Sequence, residues 1–406
     1  MEDGPGARAF LAKAAAAFTV LSLLPVALSG SAPSHASPAL RPISSWDLGG
    51  AAPVDASSAT PLFASFTYDR GQVRGTYVQF TYDAPSGMIR SILGLGSDPP
   101  ILYVGSIRIQ SFIPPGPPTA TALGPIFEAE GFLVTVTAHD DPTGLLEIHS
   151  GMRRLVTIEL PASASNISLQ TSMGAWPASS VSFTVGGEHA RFVLGAGSFS
   201  VNGTVLVADM AGPDLLVFKS VPPGSSSKAE WRAILDAISA GQVVAELDLV
   251  ATQNGGWIQN AARYRIDVAA WPVAVKPGQA SVYVDSNRTV GAVVLLAFDQ
   301  DTMPVGDQAR LSVRANGNEV NRTNDTLTLL YAPDARTKDA SYTILPLPGT
   351  VLAIYLPSLV ATYVEVMSVP PPPPGPAFDF GAEAATIAAL AVVSVAAAHM
   401  FRRRKE

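Results

Sequence analysis

Cysteine is absent from all 406 residues. That absence removes disulfide frameworks, thiolate zinc sites, iron–sulfur clusters and a cysteine nucleophile. Charge is scarce too, since Asp, Glu, Lys and Arg together make 15% of the chain. Of only 5 histidines, His139, His149 and His189 lie between the two chain ends, so general-base options are few. None of the patterns G-x-S-x-G, H-E-x-x-H, Walker A or G-x-G-x-x-G occurs. Ser225-x-x-Lys228 formally matches the S-x-x-K of penicillin-recognising enzymes, but SSSK after PPG reads as a linker and helix start, with no K-T-G or S-D-N partner.

What is present points to turns and strands. Hydrophobic residues make 48% of the chain, which excludes wholesale disorder. Gly and Pro, at 34 each, exceed average usage; proline collects in loops because it costs helices and central strands a hydrogen bond. The expected fold class is therefore mainly all-β, a multidomain β-sandwich-like ectodomain. Net charge is −7, and without residues 1–36 and 382–406 the body carries 20 basic and 29 acidic residues, a net −9. An acidic body binds polyphosphate poorly, which argues against nucleic acid as a partner.

The two ends differ from the body. Residues 1–36 combine Arg8 and Lys13, the apolar run Ala14–Leu28 and small residues at Ser34-His35-Ala36, the three parts of a secretory signal peptide. The alternative cut after Gly30-Ser31-Ala32 is disfavoured by Pro33, and a run broken by Pro25 is short for a retained span. Ala384–Phe401 is an 18-residue Ala- and Val-rich run that covers roughly 27 Å as a helix, close to the hydrocarbon thickness. Arg402, Arg403, Arg404 and Lys405 follow it and hold the C-terminus in the cytoplasm by the positive-inside rule. The implied topology is body outside, five-residue tail inside.

Before that run, Pro370–Pro376 reads PPPPPGP, a stiff polyproline spacer of roughly 22 Å. A spacer, then Asp379-Phe380-Gly381, an apolar helix and a basic terminus resemble the tripartite sorting tails of archaeal surface proteins. The nearest variant carries Pro-Glu-Phe-Gly; here an Asp replaces the Glu and Phe378 stands where the Pro would be. The resemblance implies a cell-surface protein whose tail is either a permanent anchor or exchanged for another linkage. Trp271–Val369 is similar in pattern to a β domain that often precedes such tails, with a D-x-x-T-x-P-V-G turn at Asp299, Thr302, Pro304, Val305 and Gly306. That similarity carries no known chemistry.

Five sequons begin at Asn166, Asn202, Asn287, Asn321 and Asn324. With nine asparagines, about one or two would arise by chance, so the excess points to N-glycosylated surface turns. Proline-rich breaks suggest an N-terminal β domain over 40–112, a linker over 113–125, a central β domain over 126–270, a C-terminal β-sandwich-like domain over 271–369, a spacer over 370–380, a membrane helix over 381–401 and a tail over 402–406. Period-two stretches mark strands at FLVTVTAHD (132–140), LVTIEL (155–160), VSFTV (181–185), SVYVDS (281–286) and LTLLYA (327–332). The repeats LFASFTYD (62–69) and TYVQFTYD (76–83) are expected to pair as a hairpin. One segment, Ser227–Gly241, reads as an amphipathic helix with a capping box at Ser227 and Glu230, an apolar face of Trp231, Ile234, Leu235 and Ile238, and Gly241 at C′.

Metal chemistry has two candidates. A hairpin across Asp140–Gly144 would bring His139, Asp140 and Asp141 towards Glu147 and His149, although DDPTG is also an ordinary turn. Asp299, Asp301 and Asp307 could hold calcium, but not as an EF-hand, because Met303 occupies the fifth position. No other cofactor is expected. The leading expectation is a single-pass, membrane-anchored extracytoplasmic envelope protein of structural or adhesive role, without catalysis. Its partners are the lipid bilayer and, outside, envelope proteins or glycans. The alternatives are an anchored lectin-like or calcium-dependent receptor, which calls for a concave polar–aromatic site, and an anchored carboxylate-dependent hydrolase. On fractionation the full chain should stay with membranes through a high-salt wash and leave them in detergent. A chain stopped after Phe380 should appear in the soluble extracytoplasmic fraction.

Overall fold

Alternating Val, Ile, Thr, Tyr and Phe favour a pleated surface with one face buried. In the computed structural model, which describes residues 61–116, 120–172, 177–252, 254–304, 310–331 and 339–369, such stretches assemble into four sheets. Sheet I runs in the order Thr67–Asp69, Gln72–Arg74, Val78–Asp83, Met88–Gly94, Ile101–Ile109, Arg154–Glu159, Val205–Met210, Gly197–Asn202. Sheet II runs Ser165–Ser172, Ala178–Val185, Glu188–Leu194, Asp214–Ser220, Leu146–Ser150, Val134–His139, Ile126–Gly131, Ala120–Leu123. These two enclose one core, with Phe80, Phe127, Phe183, Phe192 and Phe218 at its centre.

Sheet III follows the order Trp257–Arg263, Val243–Ala251, Ala292–Phe298, Thr350–Leu356, Ser341–Leu345, Asn321–Arg322, and sheet IV the order Val268–Lys276, Gln279–Ser286, Thr362–Val369, Arg310–Ala315, Asn318–Glu319. They share a second core that includes Leu247, Val282, Leu296, Phe298, Ile354 and Val366. The fold is mainly β. Strands from the 40–112 and 126–270 segments interleave in the first sandwich, as Ile101–Ile109 pairs with Arg154–Glu159. Ala120–Leu123, inside the 113–125 stretch, is an edge strand of sheet II, and Val243–Arg263 contributes two strands to the second sandwich. The stretches 1–36 and 370–406 lie outside the described residues. Among those described, no helix is long and apolar enough to cross a membrane.

Two strand expectations need correction. The FTYD repeats do not pair with each other: Gln72–Arg74 inserts between them, joined to the first by a tight turn with positive φ at Arg70 and Gly71. The repeats still meet through their rings. Phe66 and Phe80 pack edge-on at 6.1 Å, and Tyr68, Phe80 and Tyr82 all surround Phe127 at 5.3–5.4 Å. LTLLYA is not a strand but a short helix, Thr326–Tyr331 (α2 below). Asp325 Oδ1 accepts the Thr328 backbone N–H at 2.9 Å, a helix cap embedded in the Asn-Asp-Thr sequon, and the helix buries the adjacent Leu329 and Leu330 together.

The helix Lys228–Ser239 (α1) forms as its sequence indicates. Its C-terminus is a Schellman motif: Gly241 N–H donates to Ile238 O, Gln242 N–H donates to Ala237 O, and Gly241 takes φ +73°. The N-terminal capping box is not made. Ser227 Oγ donates instead to Pro346 O at 3.1 Å, tying the helix start to the second sandwich.

The placement of α1 explains three strands that are buried along their whole length. Ile234, Ala237 and Ile238 join Val193, Leu215 and Val217 of sheet II with Val293, Leu295, Val351 and Ala353 of sheet III in a third apolar layer. Asp214–Ser220, Ala292–Phe298 and Thr350–Leu356 are therefore covered on both faces. Both sandwiches belong to one compact unit.

Asp214 starts one of these strands, fully buried. Its Oδ1 accepts the Ala196 and Leu215 N–H groups at 2.7 Å, and its Oδ2 accepts Ala211 N–H at 3.0 Å. Burial outweighs these bonds and pushes its pKa up to about 6. The folded state thus holds a proton the unfolded chain has released. The associated stability, roughly 3 kcal/mol, is complete below about pH 4 and is lost as pH rises through about 6. Denaturant titrations should show this falling slope in the native chain and its loss in Asp214→Ala, which should also be destabilised by at least about 2 kcal/mol at neutral pH through its orphaned N–H groups.

Candidate functional site

Strand periodicity brings charges into the apolar layer between the sandwiches. In Asp214–Ser220, Leu216 and Phe218 enter the first core while Leu215, Val217 and then Lys219 face outward. In Val243–Ala251, Leu247 and Leu249 enter the second core, which turns Glu246 and Asp248 towards the first sandwich. Lys219 is 3% exposed; its Nζ lies 2.5 Å from Glu246 Oε2 and 3.2 Å from the Tyr264 hydroxyl. Tyr264 donates to that same Glu246 oxygen at 2.5 Å. The ammonium also sits 5.8 Å from the Trp231 ring and 5.9 Å from the Tyr264 ring.

Asn260 is the adjoining hub. Its Nδ2 donates to Asp141 Oδ2 at 3.1 Å and to Asp248 Oδ2 at 3.3 Å, which leaves its carbonyl oxygen on His139 Nδ1. His139 therefore carries its hydrogen on Nδ1 and keeps a buried Nε2 with no partner among the described residues. Asp141 Oδ1 accepts both the backbone N–H and the hydroxyl of Thr143, at 2.7 and 2.6 Å.

Protonation follows from this crowding. Burial, then the charge of Glu246, raises the Asp248 pKa well above the usual carboxylate range. Burial and Glu246 likewise hold the Tyr264 phenol in its neutral form. Burial opposes the charge of Lys219, but Glu246, Asp141 and Asp248 outweigh it and raise its pKa. The cluster sets one ammonium against Glu246, with Asp248 beside them shifted towards its protonated form.

A cavity of about 390 Å³ opens onto this cluster. Tyr77, Pro142, Pro223, Trp231 and Pro348 wall it, and Asp141, Glu246 and Asp248 supply its acidic groups. Burial, followed by the charges of Asp140 and Asp141, pushes the Tyr77 phenol up to about 12.

The residues singled out in the sequence have other tasks. The Asp140–Gly144 hairpin exists and places Glu147 and His149 on one face, while Asp140 turns away to another loop. Asp140 caps the N–H groups of Thr76, Tyr77 and Val78, and a side chain at Gly75 would overlap its carboxylate. Glu147 pairs with His149 at 2.6 Å; burial would raise its pKa, but the His149 bond and charge, with His139 and Arg263, bring it below the ordinary value. Asp299 Oδ1 accepts Thr302 N–H at 2.8 Å in a turn, Asp301 is exposed, and Asp307 lies outside the described residues. No group of three His, Asp or Glu side chains among the described residues is arranged to hold a metal ion. Lys228 is bound to Glu188 at 2.5 Å, so it is not a base for Ser225. All five sequon asparagines are exposed, yet so is every other asparagine except Asn260, so exposure permits glycans without selecting for them.

Lys219, Glu246, Asp248, Asn260 and Tyr264 were not foreseen. The available signal was a charge interrupting an apolar run, in LLVFKS and VVAELDLV. Compared with known proteins, the chain matches no family model and no curated protein sequence. Removing one partner of a buried ion pair leaves the other uncompensated. Lys219→Ala should therefore destabilise the chain by about 3–5 kcal/mol, whereas Lys219→Met combined with Glu246→Gln should recover most of that loss, as read from chemical denaturation.

Proposed function

We propose that this chain is an extracytoplasmic surface protein, tethered to the membrane by its C-terminal segment, that acts by binding a small ligand between its two sandwiches. One observation carries the reading: a concave site of about 390 Å³ with aromatic and proline walls and buried acidic groups. Junctions between domains are preferred places for such sites, and mostly apolar walls with a few fixed polar groups are their usual chemistry. A purely structural stalk has no use for buried carboxylates at the edge of a cavity, since burying them costs stability.

The tether and the outward topology rest on the signal-peptide pattern, the apolar run before four cations, and the excess of sequons. The reading is a binding role without catalysis, because one Glu246 oxygen is already occupied by Lys219 and Tyr264. The second reading, a structural or adhesive stalk, is favoured by the apolar layer and ion pair that lock the sandwiches together.

Ser226 is an exposed residue that lines the cavity, so Ser226→Trp should block the site without disturbing either core. Thermal-shift measurements on the full chain in detergent, against amines, neutral sugars, amino acids and carboxylates, should find at least one class that raises Tm in the native protein and not in Ser226→Trp. Identical responses of the two proteins to every class would leave the stalk reading in place.

A further inference from the structure

Resting on that cleft-binding reading, we propose that the ligand is a small organic ammonium ion, a protonated amine on an apolar body, with its cationic head at Glu246 and Asp248. Three features of the site select this class.

The first is hydrogen-bonding capacity. Glu246 and Asp248 are 8% and 7% exposed and both line the cavity. Their other oxygens are engaged, Glu246 Oε2 by Lys219 and Tyr264 and Asp248 Oδ2 by Asn260. Glu246 Oε1 and Asp248 Oδ1 receive no hydrogen bond from any described residue. Neither belongs to the buried, unpartnered side-chain atoms of the described residues, so both are open to the cavity and able to accept from a ligand's donor. An ammonium brings three.

The second is charge. Three acidic side chains line the cavity, and Lys219 pairs with only one of them. An anion entering this site meets repulsion, and a neutral ligand leaves the excess in place. The third is the character of the walls. Hard metal cations require several converging oxygens, which the described residues do not provide. Trp231, Tyr77, Pro142 and Pro223 instead offer apolar surface and aromatic rings suited to a hydrocarbon body beside a cation. The volume lies at the small end of the usual range for ligand sites, enough for a short alkylamine or diamine.

Binding is coupled to a proton. Asp248 faces Glu246 on its own strand, Lys219 on sheet II and Asp141 on the preceding hairpin loop, with Asn260 bonded to it from the edge strand of sheet III. Burial, then the charge of Glu246, raises the Asp248 pKa in the empty site. A cation seated at its free oxygen favours the ionised form, and the proton released passes to solvent. Affinity for an amine that stays protonated should therefore rise with pH.

The test is isothermal titration of the full chain in detergent with hexylammonium, hexanol, hexanoate and methyl glucoside. Hexylammonium should bind at least ten-fold more tightly than hexanol, hexanoate should not bind, and hexylammonium affinity should be higher at pH 7.5 than at pH 5. Asp248→Asn keeps the shape of the neutral carboxyl and should fold; it should lose at least ten-fold in hexylammonium affinity along with the pH dependence. Ser226→Trp should abolish binding. Hexanol or methyl glucoside binding as tightly as hexylammonium, or Asp248→Asn binding like the native chain, would overturn the ammonium assignment and leave the cleft reading standing. No binding of any probe, with Ser226→Trp indistinguishable from the native chain, would overturn both.

Discussion

A lysine ammonium enclosed between two β-sandwiches sets the terms for its surroundings. Lys219 has exchanged water for Glu246 Oε2, the Tyr264 hydroxyl and two aromatic rings. An ion so placed tolerates little displacement of its partner, because lost coordination is not replaced by solvent. The strands that carry the pair, Asp214–Ser220 and Val243–Ala251, belong to different sandwiches, so the contact fixes one sandwich against the other. Burial, and after it the charge of the same carboxylate, raises the Asp248 pKa. Geometry and protonation at the cavity thus share one origin.

The apolar layer around that pair does for the fold what a linker could not. Leu215 and Val217 on one side, and Val293, Leu295 and Val351 on the other, meet through Ile234, Ala237 and Ile238 of α1. Because α1 is anchored at both ends, by Ser227 on Pro346 and by the Schellman turn at Gly241, it acts as a fixed wedge. Arg191 adds to this, donating to Asp236 at 2.7 Å and to Leu235 O at 3.2 Å near the C-terminal end of the helix. The cavity is the place where this layer stops filling the gap.

Much of the architecture was legible in the order of residues. Strands with one solvated face announced themselves by alternation, as in VSFTV and SVYVDS, and α1 by its spacing and by Gly241. LTLLYA misled because its first residues alternate, while the cap at Asp325 was read only as part of a sequon. The FTYD repeats misled because a three-residue strand was hidden in what looked like a turn, QVR after Arg70-Gly71. Membership of the sandwiches was not legible, since the pairing of Ile101–Ile109 with Arg154–Glu159 depends on where sheets close and not on local pattern. The site was half visible. A lysine in LLVFKS and acids in VVAELDLV break apolar runs, but only tertiary packing decides that they meet.

The order of sheet IV has a mechanical consequence. Thr362–Val369, its last strand in the chain, lies between Gln279–Ser286 and Arg310–Ala315 and is antiparallel to both. Tension on the chain beyond Val369 is delivered along this strand, at right angles to two ladders of hydrogen bonds. Such a load shears many bonds at once instead of peeling them one by one, so the second sandwich resists pulling from that end as a clamp and not as a zipper.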